Sequence, residues 1–555
     1  MLVRTMALLL ALSMAAVACS NSEQGRTDRE SDLAELSSAP RGGGSQGFDL
    51  DESEAGGVDE AVDEAGGVDE AVDEAMSATG EGVESGDSTG DAEGFFADDQ
   101  IADPDRLENN TFENYGVRAF VETVVDPLST FALDVDTASY AVGRQWLNQG
   151  VLPPADSVRI EEYVNSFDYD YRAPHEGLNV VADGGPSPFD ADNVIVRLGV
   201  QGEVVADRDR PSAALTFVID TSGSMDRQDR LELVKASLAR LVSELDRNDS
   251  VAIVTYSDQA DVLLPPTSAE DRGEIIRVIE SLRTDGSTNL EAGLRTGYDL
   301  ANESFLRNGI NRVILASDGV ANVGLTDPDG LVRLIRGDTD RGIQLVTVGV
   351  GMGNFDDVVM ETLADDGDGF YAYVDTRDEA ERLFSQDLVG TLLTVAIDGK
   401  IQVEFDAEAV EAYRLLGFEN RAVLDDDFRN DVVDAGELGS GHQMTALYEL
   451  RLRPGVRDRD RLGTAHLRWE DPQERSVRET RLEMTVSMIS PRWSDTDEDF
   501  RLAVTVAAFA ELLRGSRYAA EIDLDQVAAE AEALAGRGED VRALAELIRQ
   551  AARLR

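Results

Sequence analysis

Asp220, Ser222 and Ser224 stand at alternate positions in FVIDTSGSM (217–225), immediately after an apolar run. A carboxylate followed by two hydroxyls at this spacing places three oxygens on one side of an extended turn. Two further stretches end in the same kind of chemistry: RTDGSTNLEAG (283–293) carries Thr288, and ILASDGVANVG (314–324) carries Asp318 behind another apolar run. Two aspartates and three hydroxyls make an all-oxygen donor set, which suits a hard cation such as Mg2+, with Mn2+ or Ca2+ as substitutes. A lone D-x-S-x-S arises by chance in roughly one chain in ten of this size and says little alone. The alternative is helix capping by Asp220 and Ser222 and ordinary turns at Thr288 and Asp318. The position of the three stretches decides for the metal set.

That position follows from the elements around them. Ala214–Ile219 is a continuous apolar run, Leu231–Leu245 an amphipathic helix, and Ser250–Tyr256 a strand; helices GEIIRVIESL and LEAGLRTGYDL, strand RVILAS, helix DGLVRLIRG and strand IQLVTVGV continue the rhythm. Buried strands alternating with amphipathic helices predict an α/β domain over 212–390, a doubly wound, mostly parallel sheet. Ligands of such sheets bind at the carboxyl ends of the strands, where the three stretches fall. Before this domain, 111–208 reads as a small N-terminal α/β segment. After it, 391–555 reads as an antiparallel β unit (KIQVEF, QMTALYELRL, TAHLRWE, RETRLEMTVS) followed by three helices from Asp497 on, opened by Asp and packing back on the β unit.

On these residues the central block resembles the von Willebrand factor A-domain family, whose metal-ion-dependent adhesion site has the same order of loops. The flanks, PLSTFALDVDTASYAVGRQWLNQGVLPPADSVRIEEYVNSFDYDY before the block and DAGELGSGHQMTALYEL with FAELLRGSRY after it, are similar to a bacterial lipoprotein subfamily. There an A domain lies between a family-specific N-terminal segment and a C-terminal domain of unknown function. The resemblance implies Asp220, Ser222, Ser224, Thr288 and Asp318 as metal ligands. It also implies an adhesion or scaffold role, in which a partner protein completes the metal shell with an Asp or Glu carboxylate. A metal-dependent hydrolase using the same ion is the alternative. No phosphate loop, H-E-x-x-H or second cysteine speaks for an enzyme, and no catalytic residue is assigned.

Other candidates carry structural expectations. In LDVDTAS (133–139), Asp136 or Thr137 is expected to cap the following helix. Asp365, Asp366 and Asp368, like Asp425–Asp427, fail calcium-loop spacing and read as turns. His175, His442 and His466 lie far apart and form no zinc or triad pattern.

The chain has 555 residues, 110 acidic against 50 basic, and a formal net charge of -60. Such a surface repels nucleic acid, which is therefore not expected as a partner. Residues 1–18, MLVRTMALLLALSMAAVA, have the basic start, apolar core and small-residue end of a signal peptide, and the single cysteine, Cys19, follows directly. This is similar to a bacterial lipobox and implies lipidation of Cys19, an extracytoplasmic location and a tether to the cell membrane or envelope. Residues 19–110, rich in Gly, Ser, Asp and Glu with AGGVDEAVDE twice in tandem (55–64 and 65–74), read as a disordered acidic stalk. Cys19→Ser is expected to move the mature protein from the membrane fraction to the soluble one. Continued detergent-dependent fractionation would refute lipidation.

Overall fold

The structure is a computed structural model and describes residues 110–555 except 228, 229, 320, 354 and 387. The expected signal peptide, Cys19 and the repeat lie outside the described residues.

At the centre is a six-stranded sheet of β1 (Ala213–Asp220), β2 (Ser250–Tyr256), β3 (Ala260–Ser268), β4 (Ile310–Ser317), β5 (Gln344–Val350) and β6 (Phe370–Val374), in the order β6-β5-β4-β1-β2-β3. Neighbours are parallel except for β2 and β3. The helices are α1 (Leu231–Glu244), α2 (Arg272–Ser281), α3 (Leu290–Glu303), α4 (Pro328–Thr339) and α5 (Asp357–Asp365). Alternation along β1 divides them between the two faces. Leu215, Phe217 and Ile219 pack in one core with α1 and α2, whereas Val218 packs in the other with α3, α4 and α5. Every residue of β1 is buried, which is why it reads as an unbroken apolar run. Strand β3 has no counterpart in the sequence reading. It contains Pro265 and Pro266, and proline is tolerated in a strand only at an edge, which is where β3 lies.

The remaining strands form two antiparallel sheets. In the first, Val121–Glu122, Val410–Leu416, Gln443–Leu452, Val194–Gly202 and Leu178–Pro186 lie in that order. In the second, Gly436–Gly439, Thr394–Phe405, Arg461–Glu470 and Val477–Thr485 follow one another, and Leu128–Ala132 pairs with Thr394–Phe405, Leu128 opposite Glu404 and Ala132 opposite Lys400. Phe131, Leu198, Ile401, Tyr448 and Leu467, drawn from both sheets, share one buried core. The small α/β segment expected over 111–208 has its strands and helices but does not stand alone. Its strands are completed by strands after 394, and the central domain is inserted between the two halves of a β-sandwich. A strand's pattern shows which face it buries and not which strand it pairs with, so this pairing was invisible in the sequence.

Helices Ala138–Asn148 and Ile160–Asn165 join the C-terminal helices Glu498–Leu513, Leu524–Ala533 and Glu539–Leu554 in a fourth core, to which Ile195, Leu416 and Leu447 of the first sheet contribute. Asp497 and Asp523 cap the first two C-terminal helices by accepting from the amides of Asp499 and Asp525. The third begins after Gly538 without a side-chain cap.

Buried arginines fasten the three parts of the chain to one another. Arg159 pairs with Glu162 and, at 2.6 Å, with Asp357 of α5. Arg421 reaches Asp134 (3.3 Å), Asp136 (2.9 Å), Glu361 of α5 (3.4 Å) and Asp365. Arg414, fully buried, joins Glu449 (2.9 Å) to Glu511 of the first C-terminal helix (2.7 Å). The expected cap at Asp136 or Thr137 does not form. Thr137 is the N-cap residue but makes no side-chain cap bond, and Asp136 instead accepts from Arg421 and from the Tyr371 amide. Arg421→Met should destabilise the chain by about 3–5 kcal/mol, because buried Asp134 and Asp136 lose their cation while Glu361 keeps only Arg159 at 3.5 Å. Urea unfolding of the two proteins side by side measures it.

Candidate metal centre

β1 adjoins both β2 and β4, so the order reverses at its carboxyl end and leaves a crevice there. Asp220 closes β1 and Asp318 follows β4; both are fully buried. Asp220 belongs to the even-numbered positions of β1, on the face covered by α3. That helix approaches unusually closely. A Cβ on Gly297 would lie 2.3 Å from Val218 of β1, and one on Gly293 would lie 2.6 Å from the Tyr256 ring of β2. The two glycines, four residues apart on one helix face, let α3 sit against the sheet and carry Thr288, two residues ahead of its first turn, to the strand ends. Asn289 caps the helix by accepting from the Ala292 amide at 3.1 Å.

The loops are tied to one another by backbone and side-chain bonds. The Gly223 amide donates to Gly286 O (3.0 Å), and the Asp285 amide to Thr221 O (2.7 Å). The Thr288 amide donates to Asn322 Oδ1 at 2.8 Å, and Thr288 O accepts from the amides of Asn322 and Val323. Thus the Asp220, Thr288 and Asp318 loops, which the sequence reading set side by side, are brought together.

Within the β1 loop, Asp220 Oδ1 accepts from the Ser222 amide (2.8 Å), and Oδ2 accepts from the Ser317 hydroxyl (2.8 Å). The hydroxyls of Ser222 and Ser224 are 2.9 Å apart. Adjacent ligands of an octahedral Mg2+ with 2.0–2.1 Å bonds are separated by about 2.9 Å, so the pair has the spacing of two neighbouring coordination positions. Burial, with the nearby Asp318 charge second, pushes the Asp220 carboxyl up to about 6. Two acids placed so close out of water favour a compensating cation. The donor set therefore fits a hard divalent ion. Ser224 is half-buried and Gly223, Asp285 and Gly286 are exposed, so the crevice opens to solvent on that side.

Sequence reasoning missed Arg230. Fully buried, it donates through Nη1 to Asp318 Oδ2 and to Ser224 O (3.0 Å), and through Nη2 to Met352 O and Gly353 O (both 2.7 Å). Gly351, at φ 73°, leaves room for it: a Cβ there would lie 2.3 Å from Arg230 Nε. The loop after β5 is thereby latched to Asp318. From its other side Asn110 Oδ1 accepts the amides of Gly353 (2.9 Å) and Phe355 (3.1 Å). The signal for Arg230 in DRLELVK was an arginine directly ahead of an apolar helix, which by itself reads as a solvated first-turn residue. Ser317, which bonds Asp220, was likewise passed over as the end of a strand. His442 packs against Phe370, at the start of β6, and His466 against Phe428 of the sandwich.

Comparison with known proteins agrees with this architecture. Residues 214–386 match the von Willebrand factor type A domain, 106–197 match a von Willebrand factor segment, and 390–554 match the C-terminal domain of the uncharacterized protein YfbK. YfbK of Escherichia coli is 36% identical over 75% of this chain and 76% of its own length. The uncharacterized protein sll0103 of Synechocystis is 24% identical over 46% of this chain and 61% of its own. Among solved structures, a von Willebrand factor type A protein from Catenulispora acidiphila aligns at TM-score 0.41 and 13% identity, covering 66% of this chain and 89% of that one. Domains of this type commonly hold a metal ion and mediate contacts between proteins. The chain belongs to the YfbK family, bacterial proteins in which a von Willebrand factor type A domain is followed by the YfbK C-terminal domain.

Proposed function

We propose that this protein is a Mg2+-dependent adhesion or scaffold module of the cell envelope, tethered through a lipid on Cys19, that binds a partner protein by its Asp or Glu carboxylate. The observation that carries the reading is the pair of hydroxyls on Ser222 and Ser224, held 2.9 Å apart beside buried Asp220 on the open side of the crevice. Asp220, Ser222, Ser224, Thr288 and Asp318 would hold the ion, and its chemistry would be electrostatic: a bound cation accepts one more oxygen ligand from outside.

The charge count favours an anionic partner. Asp220 and Asp318 carry two negative charges and Arg230, paired with Asp318, returns one positive. A divalent ion in this set is left with a net positive charge that the hydroxyls do not cancel, and a partner carboxylate supplies what is missing. The overall charge of -60 opposes approach at long range, but salt screens it beyond about 8 Å at physiological strength. Binding therefore depends on contact at the ion. Association should speed up as salt rises, the reverse of a steered pair of unlike charges.

Titration calorimetry of Mg2+ against the purified chain tests the site. Asp220→Ala and Asp318→Ala should each abolish measurable binding with the far-UV spectrum unchanged. Unchanged affinity in either variant would falsify the ligand assignment. Thr288→Ala should weaken partner binding more than it weakens binding of the ion.

Arg230→Met gives a second, independent readout. Without the ion the variant should melt below the wild type, since buried Asp318 loses this cation. Saturating Mg2+ should raise its melting temperature by more than it raises that of the wild type, because the ion then supplies the lost positive charge. Equal shifts would show that Arg230 and the ion do not share Asp318.

A further inference from the structure

A second group of acids lies where the inserted domain meets the sandwich. Asp368 is in the turn between α5 and β6, Asp434 precedes strand Gly436–Gly439 of the sandwich, and Glu437 is within that strand. One carboxylate oxygen from each lies within 4.8 Å of the other two. Glu437 is 8% exposed, and its Oε1, shielded from solvent, accepts no hydrogen bond among the described residues. A buried carboxylate oxygen without a donor is costly, and such oxygens in folded proteins are ordinarily satisfied by a donor, a water or a cation.

The neighbouring positive groups make their hydrogen bonds elsewhere. Lys400 Nζ donates to Asn430 O (3.0 Å) and Val433 O, Arg475 pairs with Glu470 at 2.9 Å, and Arg312 donates to Leu392 O (3.0 Å) and Thr394 Oγ1 (2.9 Å); the buried Arg312 Nη1 makes no hydrogen bond among the described residues and acts on Glu437 only through its charge. Among the described residues none of the three acids forms an ion pair. Asp398 adds a further negative charge, and Glu437 feels the repulsion of Asp368, Asp434 and Asp398 together. The lysine and two arginines soften this field without supplying a ligand to it.

From this geometry we infer that Asp368, Asp434 and Glu437 form a second cation site, separate from the Asp220 centre, that takes Ca2+ and joins the inserted domain to the sandwich. The donor chemistry favours the ion. All three oxygens lie within 4.8 Å of one another, inside the about 5.2 Å that two ligands of one Ca2+ at 2.3–2.6 Å can span. Ca2+ accepts irregular all-oxygen sets completed by water, whereas Mg2+ demands near-octahedral geometry. Asp434 is exposed, so the ion reaches the site from solvent and water completes its coordination. The Asp368 turn and the Asp434 loop belong to different parts of the fold, and a shared ion would add a staple to the interface beside the Arg421 network.

The test uses the whole purified chain in the Asp220→Ala background, which keeps it independent of the centre under Proposed function. Calorimetric titration with Ca2+ and thermal melts with and without it are compared for this protein and for the same protein carrying Asp434→Asn and Glu437→Gln. Because amides replace repelling carboxylates, the latter should melt no lower than its parent when chelator is present. Ca2+ should bind the parent with one equivalent and raise its melting temperature by several degrees. In the amide protein the affinity should fall about tenfold or more and the shift should vanish. Absence of Ca2+ binding by the parent overturns the inference, as does retention of the shift in the amide protein. Asp368→Asn alone should give an intermediate loss, and an affinity equal to the parent's removes Asp368 and with it the link between the two parts.

Discussion

The pairing of Leu128–Ala132 with Thr394–Phe405 is the constraint from which the rest of the structure follows. It closes a sandwich across an insertion of about 190 residues between Gly202 and Thr394 and so fixes where the inserted domain begins and ends. With both ends of the insertion held in one β-body, α5 is set against the segment bearing Asp134, Asp136 and Arg159. The buried arginines then become specific rather than merely attractive. Removing charges from water costs several kcal/mol per ion, so a pair such as Arg159 and Asp357 holds only where sheet geometry has already placed its members. Strand pairing provides the position, and the ion pairs reject the alternatives.

The crevice depends on a different economy. Its carboxylates are buried at strand ends, and the sheet places them without regard to their charge. What makes the arrangement tenable is how little space the elements around it occupy. Gly293 and Gly297 bring α3 onto the sheet, and Gly351 admits the Arg230 guanidinium beside Asp318. Larger residues at any of these three positions would displace α3 or Arg230 without touching Asp220 or Asp318.

The central domain was legible because its information is local. A strand buried on both faces announces itself as an apolar run, an amphipathic helix by its period, and the switch point by the order in which the two alternate. Hence Asp220, Ser222, Ser224, Thr288 and Asp318 could be grouped from their places at the ends of such strands and from the family resemblance. The sandwich was not legible, because Leu178–Pro186 and Val194–Gly202 look the same whether they pair with each other only or also with Gln443–Leu452. β3 was hidden by Pro265 and Pro266, which ordinarily argue against a strand. Arg230 and Glu437 were hidden for a further reason: burial of a charged side chain is set by tertiary packing, and the sequence pattern around both is that of exposed residues.

The bonds from Asn110 to the Gly353 and Phe355 amides have a mechanical consequence. The same short loop offers its Met352 and Gly353 carbonyls to Arg230, which in turn grips Asp318. Asn110, the loop, Arg230 and Asp318 are thus links in series. Tension applied to the chain ahead of Asn110 is transmitted to this loop as well as to the Thr111 and Asp356 bridge, instead of being absorbed by the sandwich alone. A load sufficient to draw the loop away from Arg230 would alter the charge balance at buried Asp318.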